Sequence, residues 1–248
     1  MKTKGKRIII MGATSGIGRA VAEIMAAAGW TVGAAGRRGE MLDELRRKYP
    51  ENIVAETIDV NDGNAGELLT GLFERMGGAE VYLHCSGIGY QNPRLEEEKE
   101  LSTLRTDCEG YARMLGAAFR YFAANGGGHI AAVTSIAGTK GLGPAPAYSA
   151  AKRFQCTYLD ALEQLARMCR LDIHFTDIRP GFVDTALIDY GSNYPFVMKT
   201  AQVARSIVKA IEKRRRVKTI DWKYAVLVAV WRLIPRTLWK RFPFPAGK

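Results

Sequence analysis

The chain has 248 residues, 47% of them hydrophobic and 25% charged. That is enough for one core of about 250 residues, in the balance of a folded globular chain, which excludes a disordered or fully membrane-embedded protein. The net charge of +11 is uneven: residues 199–248 hold 14 Lys and Arg against 2 Asp and Glu, residues 1–198 hold 22 against 23, and without a recognition motif the basic tail does not imply nucleic-acid binding.

The N-terminal apolar run stops at Gly12, too short for a secretion-signal core and without a small-residue cleavage pattern, so a cytoplasmic protein is expected. RIIIM reads as the first strand, IGRAVAEIMAAA as its helix with Gly29 as the stop, and TVGAA as the second strand. MLDELRRKY is helical, NIVAETIDV a strand, AGELLTGLFERM a helix and EVYLHCSG a strand. A long helical region then runs to Asn125, Gly126, Gly127 and Gly128 break it, and HIAAVTS is the next strand. A helix containing YSAAKRFQCTYLDALEQLARMC, the strand DIHFTDIRPG, a loop and the helix AQVARSIVKAIEKRR complete the order. Strands alternating with amphipathic helices predict βαβ units: an α/β, doubly wound parallel sheet in three αβα layers. One catalytic domain, residues 1–221, is expected, followed by a basic aromatic tail, residues 222–248. Cys85, Cys108, Cys156 and Cys169 form no CxxC pair, so reduced thiols are expected rather than a metal site or a disulfide framework.

Gly12, Gly16 and Gly18 make a GxxxGxG spacing in the turn between the first strand and the first helix. Glycine lets the backbone approach a pyrophosphate there, and the helix N-terminus supplies free N–H groups. At the end of the second strand Gly36 leaves no carboxylate for a ribose 2′-hydroxyl, and Arg37 and Arg38 follow at once. A 2′-phosphate suits a guanidinium fork, so NADP(H) is expected, with Arg37 as the favoured phosphate contact. Tyr148 and Lys152 stand four apart in YSAAK and share a helix face. A tyrosine with an ordinary pKa near 10 exchanges protons poorly at neutral pH, but an adjacent ammonium favours its phenolate, so the pair makes a usable acid and base.

The glycine motif, Asp59 after the third strand, Ser135 thirteen residues before Tyr148, Lys152, and RPG at Arg179 to Gly181 with Thr185 beyond it occur in one order. Together they resemble the short-chain dehydrogenase/reductase family over residues 5 to about 215, and the resemblance implies a Rossmann fold. It implies that Ser135 hydrogen-bonds a substrate carbonyl, that Tyr148 gives the proton, and that Lys152 supports Tyr148 and holds the nicotinamide ribose. Asp59 and Val60 would flank the adenine; Gly12, Thr14, Ser15, Gly16, Ile17 and Gly18 would carry the phosphates. Ser86, Gly87, Pro180, Gly181 and Val183 would line the nicotinamide, with Thr185 on its carboxamide. The family also implies a homo-oligomer, dimer or tetramer. Two readings follow: an NADPH-dependent carbonyl reductase, reversible to an alcohol dehydrogenase, or a cofactor-binding regulatory or scaffold protein.

Three departures bear on that choice. Met11 stands where the family has threonine, and His84, Cys85, Ser86 and Gly87 replace Asn-Asn-Ala-Gly. His84 is expected to fill the asparagine's space rather than act as a catalyst. Asp107, three residues before Gly110, takes the place of an active-site asparagine thought to hold a water beside the lysine; its charge would favour a protonated Lys152 and change the pH profile.

Between Asp184 and Thr200, residues Leu187, Tyr190, Tyr194, Phe196, Val197 and Met198 would line an apolar pocket for a lipid-like or ring ketone, or else pack as a lid. The apolar run from Tyr224 to Ile234 contains Arg232 and stops at Pro235, too short to span a membrane. Trp222, Trp231, Trp239 and Phe242 interleaved with Lys and Arg fit a segment lying on an anionic membrane from the cytoplasmic face. A dimer contact or a roof over the cleft fits the same pattern.

Overall fold

The computed structural model describes residues 6–187 and 196–242. Strands β1 (Arg7–Met11), β2 (Thr31–Gly36), β3 (Ile53–Thr57), β4 (Val81–His84), β5 (Gly128–Val133), β6 (Ile173–Arg179) and β7 (Val217–Thr219) pair in parallel. Among the described residues their order is β3-β2-β1-β4-β5-β6-β7. Helices α1 (Gly16–Ala27), α2 (Gly39–Lys48), α3 (Ala65–Arg75), α4 (Glu97–Leu104), α5 (Tyr111–Ala124), α6 (Pro146–Met168) and α7 (Thr200–Glu212) connect them, and α8 (Trp222–Leu233) and α9 (Arg236–Trp239) follow β7.

The strands read as nearly unbroken apolar runs because helices cover both faces of the sheet. Pleating sends Ile8 and Ile10 into the layer shared by α1, α2 and α7, and Ile9 and Met11 into the layer of α3, α5 and α6. This is the expected Rossmann-like, doubly wound sheet. From β1 the chain winds outward to β2 and β3, then returns to place β4 on the other side of β1. That reversal opens a crevice beyond the carboxyl ends of the central strands, where ligands bind in such sheets.

Two elements differ from the sequence reading. The long helix before Asn125 is interrupted by a π-helical turn, Arg105–Gly110, between α4 and α5. Periodicity alone does not reveal one wide turn inside an amphipathic run. The short edge strand β7 lies within the basic segment, and α8 returns to the core, where Tyr224 and Val228 are buried against the layer of α1 and α7. Burying Val228 alone stabilises the fold by about 1.5–3 kcal/mol.

Candidate active site

The loop from Gly12 to Gly18 crosses the carboxyl end of β1. Gly12 has φ +93, and a Cβ there would stand 2.7 Å from the Ser86 nitrogen; a Cβ on Gly18 would stand 2.2 Å from the Gly12 oxygen. Backbone therefore packs directly on backbone, and α1 begins with Ser15 at its N-cap and no acidic residue in its first turn. The exposed N–H groups and partial positive charge of that terminus suit an anion. An open cleft of about 350 Å³ lined by Gly16, Arg19, Thr185 and Thr200 continues from this loop.

Past β2 the two arginines part. Arg38 Nη2 donates to Thr14 Oγ1 at 2.9 Å and to Ser15 Oγ at 2.6 Å, so its guanidinium lies over the glycine loop. Arg37, which the sequence favours as the phosphate contact, turns toward Asp59 at 3.8 Å and stays largely exposed. Val60 is buried beside the π-helical turn, where Gly110 leaves no room for a Cβ against it.

Helix α6 opens with Pro146, whose fixed φ and missing N–H suit a first helical turn. Tyr148 in its first turn and Lys152 in its second share one face, with Lys152 Nζ 5.4 Å from the Tyr148 ring centroid. The loop after β4 crosses this face so closely that a Cβ on Gly89 would lie 2.4 Å from Tyr148 Cδ2. Lys152 is buried, and so is its partner Asp107, whose Oδ2 is 3.1 Å from Nζ. Asp107 Oδ1 accepts from the Ile88 N–H at 2.8 Å. Gln155, also buried, accepts from Lys152 Nζ at 3.0 Å and donates to the Asp107 carbonyl at 2.9 Å. The sequence reading missed Gln155; its place three residues after Lys152 on the same helix face is the signal that marks it.

Burial raises the Asp107 carboxyl above the usual range, opposed by Lys152 and by the Ile88 N–H. Burial also works against the charge of Lys152, but Asp107 and then Tyr148 outweigh it and hold its pKa above the ordinary lysine value. The acid is thus harder to ionise and the lysine harder to deprotonate, directions that pull differently on one pair. The lysine's direction governs, because its carboxylate partner is within contact distance and is itself held by a backbone donor. The pair is a buried ion pair at neutral pH.

Ser135 lies two residues past β5, at the N-cap of the turn Ile136–Thr139, and is buried; its Oγ accepts from the Ala137 N–H at 3.1 Å and lies 3.5 Å from the Pro180 carbonyl. Beyond Pro180 the chain leaves the sheet and returns by pairing Val183 with Met198. The Tyr224 ring fills the space a Cβ on Gly181 would need. Its hydroxyl accepts from the Phe182 N–H and donates to the Phe196 carbonyl, both at 3.2 Å. The tail therefore clamps the segment that carries Gly181, Val183 and Thr185. Of the expected pocket residues, Leu187, Phe196 and Val197 are exposed and Met198 is in the core, while Tyr190 and Tyr194 lie outside the described residues.

His84 is fully buried with Nδ1 2.8 Å from the Tyr82 hydroxyl. Burial, with Lys152 adding to it, lowers its pKa to about 3, so it is neutral and fills space as expected. Burial pushes the Cys85 thiol up to about 12, which leaves it unreactive as a thiolate.

The family model for short chain dehydrogenases matches residues 6–192. An uncharacterized oxidoreductase of Myxococcus xanthus is 29% identical over 242 residues, covering 93% of each chain. Among solved structures, a short chain dehydrogenase of Burkholderia cenocepacia in complex with NADP superposes with a TM-score of 0.82 at 19% identity, over 99% of this chain and 100% of that one. A Burkholderia phymatum short chain dehydrogenase/reductase in complex with NAD reaches 0.83 at 18% identity, over 99% and 98%. Both structures share the fold with this chain.

Proposed function

The chain belongs to the short chain dehydrogenase family, and from that premise we propose an NADP(H)-dependent oxidoreductase that reduces a ketone on an apolar or lipid-like substrate to the alcohol, or runs the reverse. The observation that carries this reading is the buried charge network beneath Tyr148, in which Asp107 and Gln155 hold Lys152 under the phenol. An ammonium so enclosed offsets the negative charge left on Tyr148 after proton transfer.

The residues present fit the cofactor. The cradle from Gly12 to Gly18, closed to any Cβ at Gly12 and Gly18, suits the pyrophosphate, with Thr14, Ser15, Gly16 and Ile17 around it. Arg38 over Thr14 and Ser15, with Arg37 beside it, would hold a 2′-phosphate, and Asp59 and Val60 would hold the adenine side. Lys152 and Tyr148 would hold the nicotinamide ribose; Ser86, Gly87, Pro180, Gly181, Val183 and Thr185 would border the ring. When bound, the reduced cofactor supplies the hydride that the carbonyl carbon accepts. Ser135 Oγ–H donates to the carbonyl oxygen and orients it, and Tyr148 gives that oxygen its proton as charge develops there. The added hydride and proton complete the C–H and O–H bonds of the alcohol.

The exposed residues Leu101, Leu104, Phe154 and Met168 support a homo-oligomer, dimer or tetramer. NADPH oxidation measured against a panel of aliphatic, acyl and ring ketones tests the catalytic reading. Turnover on apolar ketones, faster with NADPH than with NADH, is expected. Tight NADPH binding with no turnover across the panel would instead support a cofactor-binding regulatory or scaffold protein.

A further inference from the structure

Helix α8 is apolar on both of its faces. Tyr224, Val228 and half-buried Trp231 face the core. Directly opposite, at helical spacing, stand Trp222, Val226, Val230 and Leu233, with Trp222 71% and Leu233 83% exposed. An exposed apolar ridge opposite a helix's own core face marks a contact with another protein or with lipid. Its 12 residues are too few to span a bilayer, and among the described residues no helix is long and apolar enough to cross one.

The surrounding charge indicates what covers this ridge. Residues 222–242 contain no Asp or Glu; Lys223 and Arg232 are exposed on the sides of α8, and Arg236, Lys240 and Arg241 are exposed in and just after α9. A second copy seated on the same ridge by a two-fold axis would set like charge against like charge. An anionic bilayer would accept the apolar ridge among its acyl chains and the flanking cations among its headgroups.

We propose that α8 and α9 form a lipid-docking face, seated with the axis of α8 in the plane of an anionic membrane surface. Packing within the chain fixes the orientation: Trp231 Nε1 donates to Thr139 Oγ1 at 2.9 Å, Trp239 Nε1 to the Gly141 carbonyl at 2.7 Å, and Lys140 Nζ to the Ile234 carbonyl at 2.7 Å. The face is thereby fixed to the loop after Ser135 and, through Tyr224, to the segment after Gly181. Docking would bring the loop after Ser135 and the segment after Gly181 close to the lipid, so an apolar ketone could enter from the bilayer. That consequence rests on the proposed reduction; the docking does not.

The test is cosedimentation of the full chain with vesicles of phosphatidylcholine alone and of phosphatidylcholine mixed with phosphatidylglycerol, without substrate. Binding to the mixed vesicles at low salt is expected, weakening as salt approaches about 0.5 M, where the Debye length is roughly 4 Å. Replacing three flanking cations together, Arg236→Glu, Lys240→Glu and Arg241→Glu, should weaken it at least about a hundredfold. Val226→Glu with Leu233→Glu should weaken it about tenfold or more, with thermal unfolding and NADPH fluorescence unchanged. Because all five positions are exposed, either set tests docking if the other disturbs folding. Absence of binding to mixed vesicles, or binding that survives both sets, overturns the proposal. Failure to bind vesicles together with a dimer that Val226→Glu and Leu233→Glu dissociate would assign the ridge to a second copy.

Discussion

Asp107 Oδ2 lies 3.1 Å from Lys152 Nζ inside the protein, so the lysine beneath Tyr148 is one half of a buried ion pair. Asp107→Asn removes the charge and keeps an oxygen for the Ile88 N–H. With the carboxylate gone, burial, the largest influence on Lys152, prevails, and the ammonium loses its proton at lower pH. The alkaline limb of the pH–rate profile should therefore move to lower pH, with activity at the new optimum kept or raised. The stability tied to the raised lysine pKa is present below its unfolded value of 10.5 and is lost as pH rises through the folded value. Urea midpoints of the two proteins should accordingly differ at neutral pH and converge in strong alkali. An unchanged pH–rate profile would remove Asp107 from the proton chemistry.

Tyr148→Phe takes away one oxygen and leaves the ring that packs against Gly89. Fold and NADPH affinity should persist while turnover falls by about two orders of magnitude or more. Stopped-flow hydride transfer and NADPH fluorescence titration measure the two separately. Near-normal turnover in the variant would move the proton donor elsewhere.

Arg38 spans the hydroxyls of Thr14 and Ser15, and Arg37 stands beside it. Replacing both with Ala should weaken NADPH binding by about tenfold or more, the loss expected for charge-assisted hydrogen bonds to a phosphate. NADH, which has no 2′-phosphate, should bind the variant as it binds the parent protein. Parallel titrations with the two nucleotides distinguish this from general damage to the loop, which would weaken both alike.

The order of strands and helices was legible in the sequence because each strand is a short apolar run ended by a turn residue such as Gly12, Gly36 or Gly87. The placement of Tyr148 and Lys152 on one helix face was legible from their spacing, and that of Ser135 beside the carboxyl end of a strand from the apolar run HIAAVTS, although β5 stops two residues earlier. What the sequence did not carry is tertiary. The π-helical turn that presents Asp107 depends on Gly110 fitting against Val60 and on the Asn61 side chain reaching Thr106, contacts between segments about 45 residues apart. The choice of Arg38 over Arg37 to cover the glycine loop follows from where β2 ends relative to Thr14. The tail's pattern fits a membrane surface and a packed helix alike, and Tyr224 is a core residue because Gly181, some 40 residues away, leaves room for its ring.

Gln155 bridges Lys152 and Asp107: its carbonyl accepts from Lys152 Nζ at 3.0 Å and its amide donates to the Asp107 carbonyl at 2.9 Å. The wide π-helical turn leaves that carbonyl able to take a side-chain donor. Gln155 is fully buried and its side chain is taken up by Lys152 and Asp107, so it acts as a positioning residue for the lysine. Gln155→Leu keeps the volume roughly constant, removes one acceptor from a buried ammonium and leaves the Asp107 carbonyl without its amide donor. Loss of a hydrogen bond to a charged group should lower kcat by about tenfold, with KM little changed. The alkaline limb should move to lower pH, in the same direction as in Asp107→Asn, because the ammonium is less well held. Gln155→Glu restores an acceptor and adds negative charge beside Lys152, so it should recover turnover and move that limb to higher pH than in Gln155→Leu. If Gln155→Leu kept the parental profile while only its unfolding midpoint fell, Gln155 would be packing, and Asp107 alone would hold the lysine.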